Sequence, residues 1–443
     1  MASHPTAAPE AGAEMADARA MRRRGLTLGL LTLTYFFSYM DRQILAILLE
    51  LIKADLKLSD TQLGLLSGLA FAVFYATLGV PVARLADRAN RRNIIAVALT
   101  LWSAMTALCG LAQNFAQLLV ARIGVGVGEA GSSPPSHSII ADLYPPDKRA
   151  GAMAIYSTGV VLGGGFGTMI GGYVASLYGW RWAMVVVGVP GVILALFVRW
   201  LVVEPRRGMS DPAREPDTSA MPSVGSAFTA MWRNGPAFHL VMAVTLTSLI
   251  GYALTGWGPS YLQRSLGYTV REVALVFAPL AAVAGTVGGL AGGAIANRAA
   301  ASRGLHAQSW MVALLKLAAL PFMLGFYLTD DRTLALIFYA LNYLLASSYL
   351  GPTFALIQGL APLRMRAMWA AVTLLVINLI GLGLGPTMIG LLSDLLKPAT
   401  GAESLRWALV CVGALTPWPI WHYWRAGVLL RQRETAGEVR SSI

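Results

Sequence analysis

The sequence predicts an all-α polytopic membrane protein with twelve transmembrane helices in two six-helix halves. Three observations carry that reading. The 443-residue chain is 56% hydrophobic and 13% charged, apolar runs fill nearly everything after Arg24, and short segments of the first half recur in the second. Length alone would suggest about three soluble domains, but so few charges cannot cover a soluble surface. A span needs roughly 20 apolar residues, so the runs read as membrane crossings. Soluble-enzyme, collagen-like and disordered classes drop out. Cys109 and Cys411 both lie in apolar runs, which indicates neither a disulfide framework nor a cysteine metal site.

Taken in order, residues 1–24 read as a disordered tail without the apolar core of a signal peptide. Spans are expected near 26–50, 60–86, 92–112, 115–141, 150–176 and 180–202, then 236–262, 272–298, 308–328, 333–357, 368–394 and 403–428. This divides the chain into a first bundle at 25–203, a linker at 204–235, a second bundle at 236–428 and a tail at 429–443. The linker contains the longest polar stretch, Glu204 to Ala220. An even number of spans puts both termini on one side. On that side fall 23 of the 34 lysines and arginines; 8 fall opposite and three, Arg42, Arg122 and Lys316, inside spans. The asymmetry predicts cytoplasmic termini in the cell (inner) membrane. It also accounts for most of the +12 formal charge, so no nucleic-acid partner is implied.

The halves repeat. Thr168-Met169-Ile170-Gly171 recurs as Thr387-Met388-Ile389-Gly390, and Arg181-Trp182-Ala183 as Arg406-Trp407-Ala408. Leu143-Tyr144-Pro145 with Arg149-Ala150 matches Leu360-Ala361-Pro362 with Arg366-Ala367 at an offset of 217. Three matches in chain order indicate duplication, and parallel repeats of this kind suit a substrate cavity reached alternately from each side.

The loop Ala83-Arg84-Leu85-Ala86-Asp87-Arg88-Ala89-Asn90-Arg91-Arg92 resembles the major facilitator signature G-x-L-x-D-R-x-G-R-R, with Ala83 and Asn90 in place of its two glycines. The corresponding second-half loop keeps Gly293 but has Asn297 where the acid should stand. Arg122-Ile123-Gly124-Val125-Gly126-Val127-Gly128 resembles the family's arginine-glycine motif, and Gly159 to Gly172 its glycine-rich helix. More narrowly, Tyr39-Met40-Asp41-Arg42, Gly126-Val127-Gly128-Glu129-Ala130 and Ile140-Ala141-Asp142-Leu143 resemble the spinster branch. That resemblance implies the major facilitator fold. It also implies transport of lysolipids or sphingoid phosphates, the export associated with the branch in animals.

Independently of family, ionisable residues inside spans are the functional signal, since each costs about 2.5–3.5 kcal/mol at the bilayer centre on insertion scales. Asp41, Arg42, Arg122 and Glu129 sum to zero formal charge, and Arg122 precedes Glu129 by two helical turns on one face. Glu129 and Asp41 are the expected proton-coupling residues. Arg42 and Arg122 are the expected binders of an anionic headgroup, because a planar guanidinium holds two oxygens at once. Pairing of Asp41 with Arg42 purely to hold helices together is the structural alternative. The second half offers Tyr252, Trp257, Asn342, Tyr343 and Asn378 amid apolar residues, a set suited to an acyl tail or aromatic substrate, though aromatics in spans mostly serve packing. Lys316 reads as a snorkelling residue, and Asp87, Arg88, Arg91 and Arg92 as a cytoplasmic gate rather than only a positive-inside loop.

The expected function is proton-coupled secondary transport, by alternating access, of an amphipathic, anionic lipid-like solute or drug. A proton-coupled organic-acid symporter is the alternative transport reading, because Tyr-x-Asp-Arg also resembles anion symporters of the same superfamily. From other classes, a receptor and a membrane-embedded lipid enzyme stand as competitors. No metal-ligand or nucleophile-base spacing is evident, and His4, His137, His239, His306 and His422 are widely scattered. No P-loop appears, so no cofactor is expected and the proton gradient supplies the energy. Membrane lipids, a small amphipathic substrate and protons are the expected partners of a monomer.

Overall fold

The structure, a computed structural model, describes residues 15, 17–210 and 223–436. The expected tail at 1–14, the linker segment 211–222 and the end of the C-terminal tail, 437–443, lie outside the described residues. Among the described residues the regular structure is helical throughout.

The twelve expected crossings appear as helical paths close to their predicted bounds. The first is one long helix, Arg24–Leu56. The second runs through Asp60–Ser67 and Leu69–Ala86, and the third is Arg91–Cys109. The fourth is broken into Phe115–Glu129 and Ser133–Leu143. Pro146–Tyr178 and Trp180–Leu201 complete the first set. The second set opens with Gly235–Arg264 and continues through a π-turn, Val273–Phe277, into Ala278–Arg303. Leu305–Leu328 follows; the tenth path, Arg332–Ala346 and Leu350–Leu360, is interrupted by a 3₁₀ turn at Ser347–Tyr349. The eleventh joins Arg366–Val376 to Gly385–Thr400 through the π-segment Ile377–Leu384. The twelfth is Ser404–Gly413 and Pro417–Thr435. An additional short helix, Val224–Arg233, lies in the linker.

Among the described residues, nine helical stretches are long and apolar enough to cross a membrane, the last of them, Met368–Thr435, covering two paths. The first and fourth paths are not among the nine. The first carries Asp41, Arg42, Glu50 and Lys53, and the fourth is interrupted after Glu129. Both of these crossings bear buried charges, Asp41 on the first and Arg122 and Glu129 on the fourth.

Helix starts follow the sequence. Asn90 and Asn114 accept backbone N–H bonds from Asn93 and Gln117, while Ser59 with Gln62 and Thr269 with Glu272 form capping boxes.

The chain divides into two compact units, and the division does not follow the repeat boundary. One contains residues up to Leu45 and Val73–Thr218; the other contains Ala46–Ala72 and Ser219 onward. The end of the first span and the start of the second therefore pack with the second repeat.

In the first unit, glycines let helices approach closely enough to fix the position of the first span. A Cβ at Gly159 would lie 2.7 Å from the Thr32 carbonyl oxygen, and one at Gly167 would lie 2.7 Å from that of Met40. Gly163, midway between them, abuts the Phe36 carbonyl. Small residues at four-residue spacing remove the side-chain layer between two helices. Gly128 does the same for the fourth span, where a Cβ would come within 2.7 Å of the Trp102 backbone nitrogen.

In the second unit, Asp60 anchors the packed segment. It accepts bonds from Lys53 Nζ at 2.6 Å, Arg264 Nη1 at 2.7 Å and Ser393 Oγ at 2.6 Å. Arg264 also donates to Glu50 at 2.7 Å. Asp394 accepts from the backbone nitrogens of Asp60 and Thr61 and from Thr61 Oγ1, so it caps the helix that begins at Asp60 from another helix, where the N-terminal dipole favours an anion.

Candidate functional site

Ser38, Asp41 and Arg42 fall within about one turn of the first span, so three polar side chains leave the helix close together. The close glycine contacts on the fifth span and Gly128 on the fourth hold their partners in place. Arg42 donates from Nε to Oε2 of Glu129 at 2.7 Å, and its Nη2 completes an ion pair with the same oxygen at 2.7 Å. Ser38 Oγ donates to the same oxygen at 2.8 Å. Glu129 Oε1 is buried and has no hydrogen-bond partner among the described residues. The Glu129 carboxylate is thus bound on one side and open to a new hydrogen bond on the other.

Asp41 is 1% exposed, and among the described residues no ion pair or close hydrogen bond satisfies its carboxylate oxygens. Trp102 and Thr106, one turn apart on the third span, face it as side-chain hydrogen-bonding groups. Arg122, 3% exposed, acts electrostatically on both Asp41 and Glu129. The four expected charges therefore share one buried site in the first unit. Desolvated charges of opposite sign tolerate such a place only when they compensate one another.

The guanidinium of Arg42 is also flanked by aromatic faces, 4.9 Å from the Tyr39 ring centroid and 4.4 Å from that of Tyr75. Contacts of this kind contribute about 0.5–2 kcal/mol each and hold the guanidinium in position beside the carboxylate. Sequence reading missed Ser38, Tyr75, Trp102 and Thr106. The four-residue spacing of Ser38 and Arg42 was a usable signal; the other three reach the site from separate spans.

The residues expected at the loop after the second span have different placements. Asp87 and Arg88 are exposed. Arg91 is 1% exposed and bonded within the first unit: its guanidinium pairs with Asp142 and donates to Glu204 Oε1, Ser138 Oγ and the Pro205 carbonyl oxygen, the last three at 2.7 Å. The Arg92 backbone nitrogen donates to Glu204 at 2.9 Å, and the Gly208 N–H donates to Asp142 at 2.9 Å. These bonds fasten the beginning of the linker to the third and fourth spans.

In the second unit, the Trp257 side chain is completely buried and its indole donates to the Pro386 carbonyl oxygen at 2.8 Å. Tyr252 packs at the edge of the apolar core, Asn342 is partly exposed, and Asn378, also partly exposed, donates to the Leu374 carbonyl oxygen on its own helix at 2.9 Å. The expectation that Lys316 snorkels is wrong. The residue is 7% exposed, and its ammonium sits 4.2 Å from the Tyr349 ring centroid, because the side chain begins about 17 Å from the start of its helix and turns into the bundle.

Among the described residues no cluster of three or more His, Cys, Asp or Glu side chains is arranged to hold a metal ion.

Comparison with known proteins places this geometry in a family. The Major Facilitator Superfamily model matches residues 31–421. The chain is 35% identical to an MFS-type efflux pump of Mycolicibacterium smegmatis over 93% of its own length and 96% of that protein's. It is 29% identical to protein spinster homolog 1 of Xenopus laevis, covering 84% and 74% of the two chains. Among solved structures, a bacterial homolog to the human lysosomal transporter Spinster, in an inward-facing and unoccupied conformation, superimposes with a TM-score of 0.82 at 30% identity, covering 92% of this chain and 98% of that one. These are transporters rather than enzymes. The chain belongs to the Major Facilitator Superfamily, in its spinster-like branch.

Proposed function

We propose that the protein is a proton-coupled secondary transporter that moves an amphipathic, anionic lipid-like solute of the lysolipid or sphingoid-phosphate type, or a drug, by alternating access. The observation that carries the reading is the half-occupied carboxylate of Glu129 near the buried carboxylate of Asp41, which has no ion pair among the described residues. A proton arriving on Glu129 weakens its hold on Arg42 and leaves a guanidinium able to receive an anionic headgroup. A proton leaving restores the pair. Asp41 shares or modulates that proton, with Arg122 supplying the second positive charge. Protons and solute thereby act on the same ion pair, which is the condition for coupling.

The lysine and arginine distribution supports placement in the cell (inner) membrane with both termini cytoplasmic. Asp87, Arg88, Arg91 and Arg92 then stand at the cytoplasmic end, where Arg91 anchors the gate region through Asp142 and Glu204. No cofactor is required, and a monomer is sufficient for this chemistry.

The test is flux in proteoliposomes with an imposed pH gradient, using lysophosphatidylglycerol, sphingosine phosphate and an organic acid such as glucuronate as separate solutes. Gradient-driven movement of a lipid solute supports the proposal. Movement of glucuronate alone would establish the organic-acid symporter in its place, and no movement of any solute would reject both.

A further inference from the structure

We propose that Lys316 is an anion-binding residue of the second unit, set behind Tyr349 to receive the phosphate or carboxylate of a solute. The inference deepens the transport reading above and rests on it for the identity of the solute class.

Lys316 stands near the middle of Leu305–Leu328. Among the described residues of this unit, the ion pairs gather toward helix ends: Arg264 with Glu50 and Asp60, His306 with Glu434, Arg332 with Glu272, and Arg406 with Asp330 and Glu403. Lys316 takes part in none of them. Its nearest recorded partner is the face of Tyr349. A cation–π contact contributes at most about 2 kcal/mol, whereas an uncompensated buried ion costs several. The ring therefore orients the ammonium without balancing its charge, and an anion from outside the chain would do so.

The surroundings suit that ligand. Tyr349 is partly exposed, and its hydroxyl lies 3.5 Å from Ser248 Oγ. Tyr349 ends the 3₁₀ turn that interrupts the tenth path. The two preceding residues of that turn, Ser347 and Ser348, line a cavity of about 430 Å³ together with Gln308, which comes from the helix that carries Lys316, and Asn297. That volume falls within the ordinary range for small-molecule sites, and these four lining side chains supply neutral hydrogen-bonding groups without a charge. Tyr349, which follows those two serines in the turn, connects the cavity's lining to the ammonium, although neither Tyr349 nor Lys316 itself lines the cavity. The sequence alone concealed this role because a lone lysine in an apolar helix has the same pattern whether it reaches water or the bundle interior.

The experiment uses the full chain in nanodiscs of zwitterionic lipid and measures binding of lysophosphatidylglycerol, an uncharged monoacylglycerol and glucuronate to the parent, Lys316→Met, Lys316→Gln and Lys316→Arg. Thermal unfolding identifies the folded variants, and Lys316→Arg keeps the test open if both neutral variants misfold. Either folded neutral variant should lose affinity for an anionic probe by about tenfold or more, as expected for a lost charged hydrogen bond, with binding of the uncharged monoacylglycerol unchanged. Lys316→Arg should keep the anion preference. Unchanged anion binding in a folded neutral variant, equal losses for all probes, loss of the preference in Lys316→Arg, or a parent that binds no anionic probe overturns the proposal. A parent that binds anions selectively but shows no gradient-driven flux would leave Lys316 as an anion site and reject the transport reading.

Discussion

Arg42 holds a single oxygen of Glu129 with a hydrogen bond from Nε and an ion-pair contact from Nη2, and Ser38 adds a second hydrogen-bond donor to that oxygen. The other Glu129 oxygen has no hydrogen-bond partner among the described residues although it is buried. A carboxylate used only to staple two helices would be expected to have both oxygens satisfied. The one-sided arrangement leaves a place for a proton without first breaking the helix contact, and several consequences follow from it.

Removing the cation should act through the anion it faces. Arg42→Ala leaves Glu129 buried with only Ser38 on its bonded oxygen, and breaking such a pair costs about 3–5 kcal/mol. The expected outcome is loss of binding to an anionic lysolipid together with reduced thermal stability. Arg42→Lys retains charge but not the forked geometry, and is expected to recover stability more fully than anion affinity. Binding titrations alongside thermal unfolding separate these effects; equal recovery of both would argue that Arg42 serves architecture alone.

Asp41 lacks the bonds that Glu129 has. Asp41→Asn keeps its size and removes its charge, so the variant is expected to fold at least as well as the parent while the pH dependence of transport moves. Circular dichroism melts and transport across a pH series check both parts. A transport profile identical to the parent's would remove Asp41 from proton handling.

Helix approach in the first unit is set by glycine, and two substitutions test it against each other. Gly128→Ala would bring a Cβ to 2.7 Å from the Trp102 backbone nitrogen, an overpacking expected to cost about 1–3 kcal/mol and to displace Glu129. Gly164→Ala meets nothing nearer than Gln43 Cγ at 3.6 Å and should be neutral or slightly stabilising. Melting temperatures of the two variants in the same detergent provide the comparison.

Arg91 is predicted to be a stability residue. Its replacement by Ala strips Asp142 and Glu204 of a buried partner and should destabilise the protein by about 3–5 kcal/mol. The exposed neighbour Arg88 should tolerate the same change. Chemical denaturation monitored by tryptophan fluorescence tests the difference.

The spans, their count and the four buried charges were legible because hydropathy and the cost of an ion in hydrocarbon act on contiguous sequence. The repeat was visible in three short matches. What remained hidden depends on which helices meet. Trp102 and Thr106 gave no sign that they flank Asp41, since the residues are more than sixty positions apart and each side chain is ordinary in an apolar helix. Asp60, Arg264 and Asp394 similarly read as separate charges at different helix ends. Packing alone joins them, and the same packing places the start of the second span with the second repeat rather than the first. Lys316 was misread for a related reason: periodicity locates a side chain on its helix, but neighbouring helices determine whether its tip reaches water.

The most direct test of the central claim is the pH dependence of solute flux in proteoliposomes containing the parent or Glu129→Gln. The account predicts that the parent transports in response to an imposed pH gradient, while the variant folds and inserts normally but loses gradient-driven flux and its dependence on pH. A folded Glu129→Gln protein with the parent's pH profile would contradict it.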